Sequence, residues 1–431
     1  MPAPGFAAID FGTSNSAIAL PADGDGRQGV RLIEVEPGHR TMPTAVFYRA
    51  DEPGLAFGRA AIAAYVDGLD GRLMRSLKSV LGSPLIEQST DIGAGRAVKF
   101  TDVIAAFLLH LKQRAEAAAG APLERVVIGR PVYFVDDDPA RDALAQAALA
   151  ATARRAGFAE VLFQFEPIAA ALDHERQVDA EACVLVADIG GGTSDFALVR
   201  VGPARRGRID RRDDILASHG VHVAGTDFDR HVELTAILPL LGHRTLRRAR
   251  PGEAPREMPS GLYFDLATWH LINTVYAPAR VAEARQMREW FADPGQHRRL
   301  LRVLQLRLGH ALAAAAEQAK IDVATDGQAA IDLADLEPGL AAGLDERRAA
   351  QAIESDLERI VEAARETVRL AGLAPTAVDA LYFTGGSTGL PSLVGRIGAA
   401  FPAARPVRGD RFASVAHGLG VHARAVFGGG A

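Results

Sequence analysis

The chain has 431 residues, of which 48% are hydrophobic and 23% charged, and its formal net charge at pH 7 is -5. That length can hold roughly two or three domains, and the acidic balance excludes an overall positive field that would draw the chain onto nucleic acid or an anionic membrane. Cys183 is the one cysteine, which excludes a disulfide framework and a multi-cysteine metal site. No run reaches the roughly 20 apolar residues of a membrane helix, and the first residues do not resemble a signal peptide, so we expect a cytoplasmic protein.

Short apolar runs that end in glycine clusters alternate with long Ala-, Leu- and Arg-rich stretches of helical period. The predicted strands are, in chain order, residues 6–10, 17–20, 125–129, 182–188, 195–201 and 380–384. The predicted helices are residues 103–118, 139–156, 299–324, 346–371 and 391–401. This alternation predicts an α/β fold rather than an all-α or all-β one.

One segment outside these elements, residues 243–261, is rich in arginine, proline and glycine. We expect an exposed loop there. A basic nucleic-acid-binding loop is the alternative, although two glutamates dilute its charge and no series of aromatic residues accompanies it.

Two segments, residues 9–20 and 186–201, share one form: an apolar strand, an aspartate, a glycine-containing turn and a second apolar strand. The sequence therefore predicts an internal duplication. Such a repeat, separated by nearly half of the chain, favours two similar lobes with a ligand in the cleft between them.

The first glycine-containing turn follows a buried strand and consists of small and hydroxyl residues, 10–16. Its backbone N–H groups and hydroxyls suit a phosphate, and Asp10 at the end of the strand is placed to hold a hydrated divalent cation. A plain hairpin, in which Asp and Asn cap backbone groups, is an equal alternative when this turn is considered alone.

The second turn, residues 188–195, contains three consecutive glycines after a strand. Such a run is costly unless the backbone must approach another group closely, and a phosphate is the natural candidate. Asp188 and Asp195 flank the glycines and suit a magnesium ion that keeps most of its water. A flexible glycine hairpin is the alternative.

The third turn, residues 383–391, leads from a strand through glycines into a helix that begins with a proline. A helix N-terminus attracts anions, so this turn suits the α-phosphate and sugar side of a nucleotide, although an ordinary βα turn explains it as well. The sequence GxxxxGK[ST] is absent from the chain, which excludes a P-loop NTPase.

In chain order, these three turns resemble the ATPase region of the 70-kDa heat-shock chaperone (DnaK-like) family, within the actin and hexokinase ATPase superfamily. The turns are similar to that family's motifs IDLGTTNS, DLGGGTFD and VGGSTRIP. Further similarities are to VITVPAYF at residues 127–134, to EPTAAALAYG at 166–172, to HLGGEDFD at 222–229 and to the adenosine-contacting helix at 317–321. Because the similarity stays in register from residue 6 to residue 425, the chain is identified as a member of this family.

The resemblance implies an actin-like ATPase fold of two lobes, each with a ribonuclease H-like βαβ core, and a nucleotide cleft between them. Lobe I would comprise residues 1–186 with a returning C-terminal helix at 410–428, and lobe II residues 187–409. Because the sequence ends at Ala431, we expect the ATPase region alone, without a peptide-binding domain, as in the YegD-like group of relatives.

The resemblance also implies that ATP or ADP binds together with Mg2+. The implied nucleotide-binding residues are Gly12, Thr13, Ser14, Asn15, Gly190, Gly191, Gly192, Thr193, Gly225, Glu317, Lys320, Gly385, Gly386 and Ser387. The implied catalytic residues are Asp10, Glu166, Asp188, Thr193 and Asp195. Of these, Asp10 and Asp188 would hold Mg2+ through its water molecules.

Three positions depart from the family pattern. The catalytic lysine of the family falls near Ile62, and an aliphatic side chain cannot contact the γ-phosphate, so we expect slow hydrolysis. Arg75 or Lys78 could reach the phosphates instead, with a solvated helical face as the alternative for that segment. Gly389 replaces the adenine-stacking arginine and Ile321 lies at the facing position, so apolar and backbone contacts would hold the base.

These features together predict an ATP-binding, slowly hydrolysing chaperone-like ATPase whose nucleotide state controls lobe closure and partner interaction. Protein clients or co-chaperones are the expected partners of a monomer, and neither nucleic acid nor a membrane is expected. Two alternatives remain open. One is an actin-like protein that assembles with nucleotide, and the other is a small-molecule kinase with Asp195 as its base.

Overall fold

The three-dimensional structure is a computed structural model that describes residues 5–22, 29–51, 54–135, 138–248, 254, 256–269, 271–410 and 413–428. Contacts between Cα atoms divide the chain into two compact units. The larger unit combines residues 1–222, 361–388 and 395–431, and the smaller unit combines residues 223–360 and 389–394. The lobe boundary between residues 186 and 187 stays a prediction.

The strands of the described residues are, in chain order, β1 (Gly5–Phe11), β2 (Asn15–Pro21), β3 (Val30–Leu32), β4 (Thr41–Pro43), β5 (Ala45–Arg49), β6 (Leu55–Phe57), β7 (Gly71–Arg75), β8 (Ser89–Gly93), β9 (Arg96–Lys99), β10 (Leu123–Arg130), β11 (Glu160–Phe165), β12 (Ala182–Ile189), β13 (Ser194–Val201), β14 (Ile215–Val221), β15 (Gln328–Asp332), β16 (Ala341–Asp345), β17 (Ala380–Thr384) and β18 (Arg405–Arg408). Each of the predicted strands lies inside one of these, so those predictions are confirmed.

The α-helices of the described residues are α1 (Gly58–Val66), α2 (Phe100–Ala119), α3 (Pro139–Arg155), α4 (Glu166–Glu175), α5 (Gly225–Val232), α6 (Gly261–Ala267), α7 (Pro278–Gln286), α8 (Pro294–Leu306), α9 (Gly309–Asp326), α10 (Glu346–Ala352), α11 (Glu354–Leu370), α12 (Pro391–Ala400) and α13 (Ser414–Phe427). In the part of the chain that the structure describes, no helix is both long and apolar enough to cross a membrane.

Two sheets of the larger unit have the same strand order. The first sheet runs β3-β2-β1-β10-β11 and the second runs β14-β13-β12-β17-β18. In each sheet the first pair along the chain forms an antiparallel hairpin, and the next two strands add in parallel. The predicted duplication is therefore confirmed, and the mixed α/β architecture is that of the actin-like ATPase fold.

Helices α4 and α13 share one core with both of these sheets. Ile168 of α4 and Leu419 of α13 are fully buried there with Val127 of the first sheet and Val186 of the second. Gly418 permits the close approach of the two helices, because a Cβ atom at this position would lie 1.9 Å from the carbonyl oxygen of Ala169. This packing fixes the start of α4, where Glu166 is located.

The smaller unit is mostly helical and has its own core. Its sequence-based prediction was wrong in one respect, because residues 299–324 form two helices rather than one. Helix α8 ends at Leu306, the next residue, Arg307, adopts the left-handed conformation with φ of 55°, and α9 begins at Gly309. Residues 346–371 are likewise interrupted, at Ile353 between α10 and α11. The hydrophobic period continues across both breaks, so periodicity alone did not locate them.

Candidate functional site

The first turn of the duplicated hairpins connects β1 to β2 and contains a close backbone approach. A Cβ atom at Gly12 would lie 2.2 Å from the carbonyl oxygen of Asn15, so only glycine fits this turn. The buried hydroxyl of Thr44 donates a hydrogen bond to the Gly12 carbonyl at 2.8 Å. This hydrogen bond stabilises the conformation of the turn. Thr13 and Ser14 in the turn are half-buried, and Asn15 is exposed.

The second turn connects β12 to β13 and contains the three glycines. Asp188 and Asp195 pair across the two strands. The N–H of Gly190 donates to the carbonyl of Thr193 at 3.0 Å, which closes the turn. The Thr193 hydroxyl donates to Oδ2 of Asp195 at 2.7 Å, so this side chain has a fixed orientation.

The third turn follows β17 and lies against the second. Gly385 has φ of +85°, and a Cβ atom there would lie 2.4 Å from the carbonyl oxygen of Ile189 and 2.7 Å from Oδ1 of Asp188. The Ser387 hydroxyl donates to the carbonyl of Gly190 at 2.7 Å. The parallel pairing of β12 with β17 thus brings together two turns that are almost 200 residues apart in the chain.

A lysine completes the acidic part of the site. Lys78 is buried, with 8% of its surface exposed, and its Nζ donates to Oε1 of Glu166. Asp10 and Asp188 lie close enough to raise its pKa, together with Glu166, although burial opposes this shift. The structure therefore brings Asp10, Glu166 and Asp188 together around one ammonium group.

Ile62, which falls near the position of the family's catalytic lysine, does not belong to this acidic cluster. Ile62 lies in α1 and packs against Ala45, Phe47 and Ala61. Lys78 occupies the acidic cluster instead, in a short 3-10 turn that follows β7. The alternative of a solvated helical face for residues 72–78 is wrong, because Leu77 and Lys78 are both buried.

Two carboxyl groups of the cluster, those of Asp10 and Asp188, have raised pKa values. Burial, and then the Glu166 carboxylate, raise the pKa of Asp10 to about 8, although Lys78 opposes the shift. Burial, and then Asp195 and Glu166, raise the pKa of Asp188 to about 7. One ammonium group does not neutralise several crowded carboxylates, so the site favours a further positive charge.

A hydrated divalent cation fits this donor set. Its charge would return Asp10 and Asp188 to the ionised form, and carboxylate oxygens are the preferred protein ligands of Mg2+. Among the described residues, no group of three or more His, Cys, Asp or Glu side chains is arranged to hold a metal ion directly.

The remaining predicted nucleotide-binding residues lie in the smaller unit. Lys320 of α9 pairs with Oδ1 of Asp229 at 2.6 Å and donates to the carbonyl of Gly225 at 3.3 Å. Burial raises the pKa of Asp229 to about 6, while the ammonium of Lys320 opposes this shift. Glu317, one turn earlier on the same helix, is exposed. Gly225 and Lys320 are thus in contact, and Glu317 presents its carboxylate to solvent.

Sequence reasoning missed two groups that hold the site together. Thr44 supports the first turn and lies in no recognisable motif. Asp229 fixes the ammonium group of Lys320, although its place at the end of residues 222–229 was a usable signal. The scarcity of lysine was a signal for Lys78, because the whole chain contains only Lys78, Lys99, Lys112 and Lys320.

Comparisons with known proteins agree with this geometry. The family described as Hsp70 protein matches residues 6–236. The chaperone protein HscA homolog of Pseudomonas paraeruginosa is 32% identical over 247 residues, which cover 52% of this chain and 36% of the relative. HscA of Serratia proteamaculans is 32% identical over 239 residues, with the same two coverages. DnaK of Mycoplasmoides gallisepticum is 30% identical over 226 residues, which cover 52% of this chain and 34% of the relative.

The chain thus spans about a third of the length of these curated relatives. The family match, in contrast, extends over more than half of the chain and contains the first two turns, Lys78 and Glu166. On this evidence, the chain belongs to the Hsp70 protein family.

Proposed function

We propose that this chain is a chaperone-like ATPase that binds ATP and ADP and hydrolyses ATP. The cluster of Asp10, Glu166, Asp188 and Lys78 carries this proposal, because it joins like-charged carboxylates and one ammonium group beside three phosphate-sized turns. Membership of the Hsp70 family supports the same function and does not favour the assembly or kinase alternatives.

The phosphates would be bound by backbone N–H groups and hydroxyls of the first two turns. Thr13, Ser14 and Asn15 would hold the β- and γ-phosphates from one side, and residues 190–193 from the other. The close approaches at Gly12 and Gly385 support this assignment, because they keep the turn backbones free of side chains.

The resemblance assigns the nucleoside contacts to the third turn and, separately, to residues of the smaller unit. Gly385, Gly386 and Ser387 would meet the α-phosphate and adenosine, and Glu317 and Lys320 the ribose, beside Gly225. The ion pair of Lys320 with Asp229 supports this role, since it orients the ammonium group in advance.

We further propose that Mg2+ accompanies the nucleotide and is held through water by Asp10 and Asp188. The ion would supply positive charge that offsets the triphosphate and the two carboxylates. Both residues would then be ionised, whereas their raised pKa values favour the protonated form in the absence of a second cation.

Hydrolysis would depend on the orientation of one water molecule and on stabilisation of the terminal phosphate. Lys78 would stabilise the negative charge that develops on that phosphate. Glu166, fixed by its hydrogen bond from Lys78, would orient the attacking water together with Thr193 and Asp195. The water oxygen would form a bond to the γ-phosphorus, and the bond between that phosphorus and the oxygen it shares with the β-phosphate would break. One proton of the water molecule would end on the released phosphate.

The decisive experiment measures ATP binding and single-turnover phosphate release by the chain with Mg2+ and no acceptor molecule. We expect binding and slow release of phosphate to water. Binding without phosphate release would contradict the ATPase assignment but not the nucleotide site, and absence of binding at millimolar ATP would overturn both.

We also propose a monomeric, cytoplasmic protein of the YegD-like group, with clients or co-chaperones as partners.

A further inference from the structure

Backbone hydrogen bonds join three arginine-containing chain segments of the smaller unit. The N–H of Arg247 donates to the carbonyl of Arg256 at 2.7 Å, and the N–H of Arg248 donates to the carbonyl of Trp290, also at 2.7 Å. An antiparallel bridge also connects Arg247 with Phe291. We define the arginine surface as Arg244, Arg247, Arg248, Arg256, Arg288 and Trp290.

The arginine surface contains exposed guanidinium groups that form no ion pair within the part of the chain that the structure describes. Arg244, Arg248, Arg256 and Arg288 are exposed, and no ion pair among the described residues includes them. Other arginines of the same unit are paired: Arg280 contacts Asp265 at 2.6 Å, and Arg299 contacts Glu337 at 2.8 Å. The arginine surface therefore carries four exposed guanidinium groups that have no ion-pair partner among the described residues.

An aromatic ring lies within this charged surface. The guanidinium of Arg247 stacks over the ring of Trp290, with 4.3 Å between its central carbon and the ring centroid. Its Nε donates to the carbonyl of Glu257 at 3.1 Å, so the group is fixed from two sides. Trp290 is 37% exposed, and Leu246, which precedes Arg247 in the chain, is 55% exposed. The arginine surface therefore offers a partner both a positively charged group in a fixed orientation and exposed apolar area.

We infer that the arginine surface binds a carboxylate-rich polypeptide segment that carries large apolar side chains. The planar guanidinium group matches a carboxylate with two parallel hydrogen bonds, and arginine and tryptophan are the residue types enriched at energetically important interface positions. Leu246 and Trp290 would bury the apolar side chains between the charged contacts. The arginine surface shares no residue with the proposed nucleotide site.

The charge distribution favours an acidic protein segment over nucleic acid. The three segments, residues 244–248, 256–257 and 285–291, contain six arginines but also two glutamates, Glu257 and Glu289. Both glutamates are exposed and would face a continuous phosphate backbone, whereas a polypeptide can place a neutral or basic residue opposite each of them.

The test measures binding of a fluorescein-labelled peptide of repeated Glu-Asp-Glu-Leu to the full chain by fluorescence anisotropy, at about 50 mM and about 300 mM salt. We expect binding that weakens at high salt. Arg248→Glu combined with Arg256→Glu should weaken it by about 10-fold to 100-fold, because two charge-assisted contacts are lost. Both side chains are exposed, so the variant should keep the melting temperature of the wild type.

The matched control is Arg365→Glu combined with Arg369→Glu, which changes the net charge equally on exposed positions of α11. An equal loss of affinity in this control would overturn the proposal, because the effect would then follow total charge alone. So would the absence of peptide binding by the wild type. Tighter binding of a single-stranded RNA of equal charge, lost in the first variant, would also overturn it in favour of nucleic acid.

The lysine variant tests the geometry of recognition. Arg248→Lys combined with Arg256→Lys keeps the charge but loses the planar fork, so peptide affinity should fall severalfold while the salt dependence remains. Unchanged affinity in this variant would contradict bidentate recognition of carboxylates.

Discussion

At the scale of single residues, the position of one ammonium group decides the chemistry of the site. Lys78 is the lysine that contacts Glu166, and Ile62 packs in a separate apolar cluster. Motif spacing alone left the partner of Lys78 open, because β7 and the 3-10 turn that follows it are what carry Lys78 to Glu166.

The Lys78→Met variant should reduce single-turnover ATP hydrolysis by about 100-fold to 1,000-fold, because a preorganised charge beside the terminal phosphate is lost. ATP affinity should fall much less. Phosphate release after rapid mixing measures the first quantity, and equilibrium titration of a fluorescent ATP analogue measures the second. Lys112→Met, which removes a lysine paired with Glu116 on α2, is the control and should retain full activity.

An Ile62→Lys variant distinguishes the two placements of the lysine. Ile62 packs against Ala45, Phe47 and Ala61, so a lysine there should not raise the hydrolysis rate. A faster rate in Ile62→Lys, with Lys78→Met still active, would show that Lys78 is not the catalytic group.

The raised pKa of Asp10 predicts how the stability of the nucleotide-free chain depends on pH. Its folded-state pKa of about 8 exceeds the ordinary value of 3.8, so the folded chain binds the proton more tightly and loses stability as pH rises between these values. Asp10→Asn removes this loss and should stabilise the chain at alkaline pH by about 1 to 3 kcal/mol.

Urea unfolding at about pH 5 and about pH 8.5, without nucleotide or metal, measures this effect. The control is Asp179→Asn, an exposed position where the same change should leave the pH dependence unaltered. Parallel pH profiles for wild type and Asp10→Asn would show that Asp10 is ionised at neutral pH in the free protein, contrary to our assignment.

At the scale of elements, the parallel pairing of β12 with β17 holds the second and third turns against each other. Gly385→Ala should destabilise the chain by more than about 2 kcal/mol, because its Cβ would collide with the Ile189 carbonyl in addition to the cost of a positive φ. It should also weaken ATP binding by separating the turns.

Gly207→Ala is the matched control for this prediction. Gly207 has φ of +77°, but a Cβ atom at this position would have no neighbouring atom within 4 Å, so the substitution carries the conformational cost alone. Thermal melting and ATP titration of both variants separate the two contributions. Equal losses in the two variants would mean that the close approach of Gly385 to Ile189 is not important.

At the scale of the whole molecule, nucleotide binding should appear as a gain in stability. A ligand that binds only the folded chain stabilises it by about 2.7 kcal/mol at 100 times its dissociation constant. We therefore expect Mg-ATP to raise the melting temperature of the wild type. The rise should be smaller in Lys320→Ala, and an identical rise would remove Lys320 from the proposed ribose contact.

The sequence by itself determined the α/β class, the six strands that it predicted, the duplication and the three turns. These features are local: an apolar strand, an aspartate and a glycine turn are visible within about ten residues, and glycine is required wherever backbones approach closely. The family membership follows from the same motifs, because their order along the chain is itself sequence information.

Only the tertiary structure decided which distant groups meet. The pair of Lys78 with Glu166, the support of Gly12 by Thr44 and the stacking of Arg247 on Trp290 join residues separated by tens of positions in the chain. Side-chain charge and size are printed in the sequence, but burial and the distance between two charges are properties of the packed chain. Those two quantities set the pKa values of Asp10 and Asp188, and with them the chemistry that the site can perform.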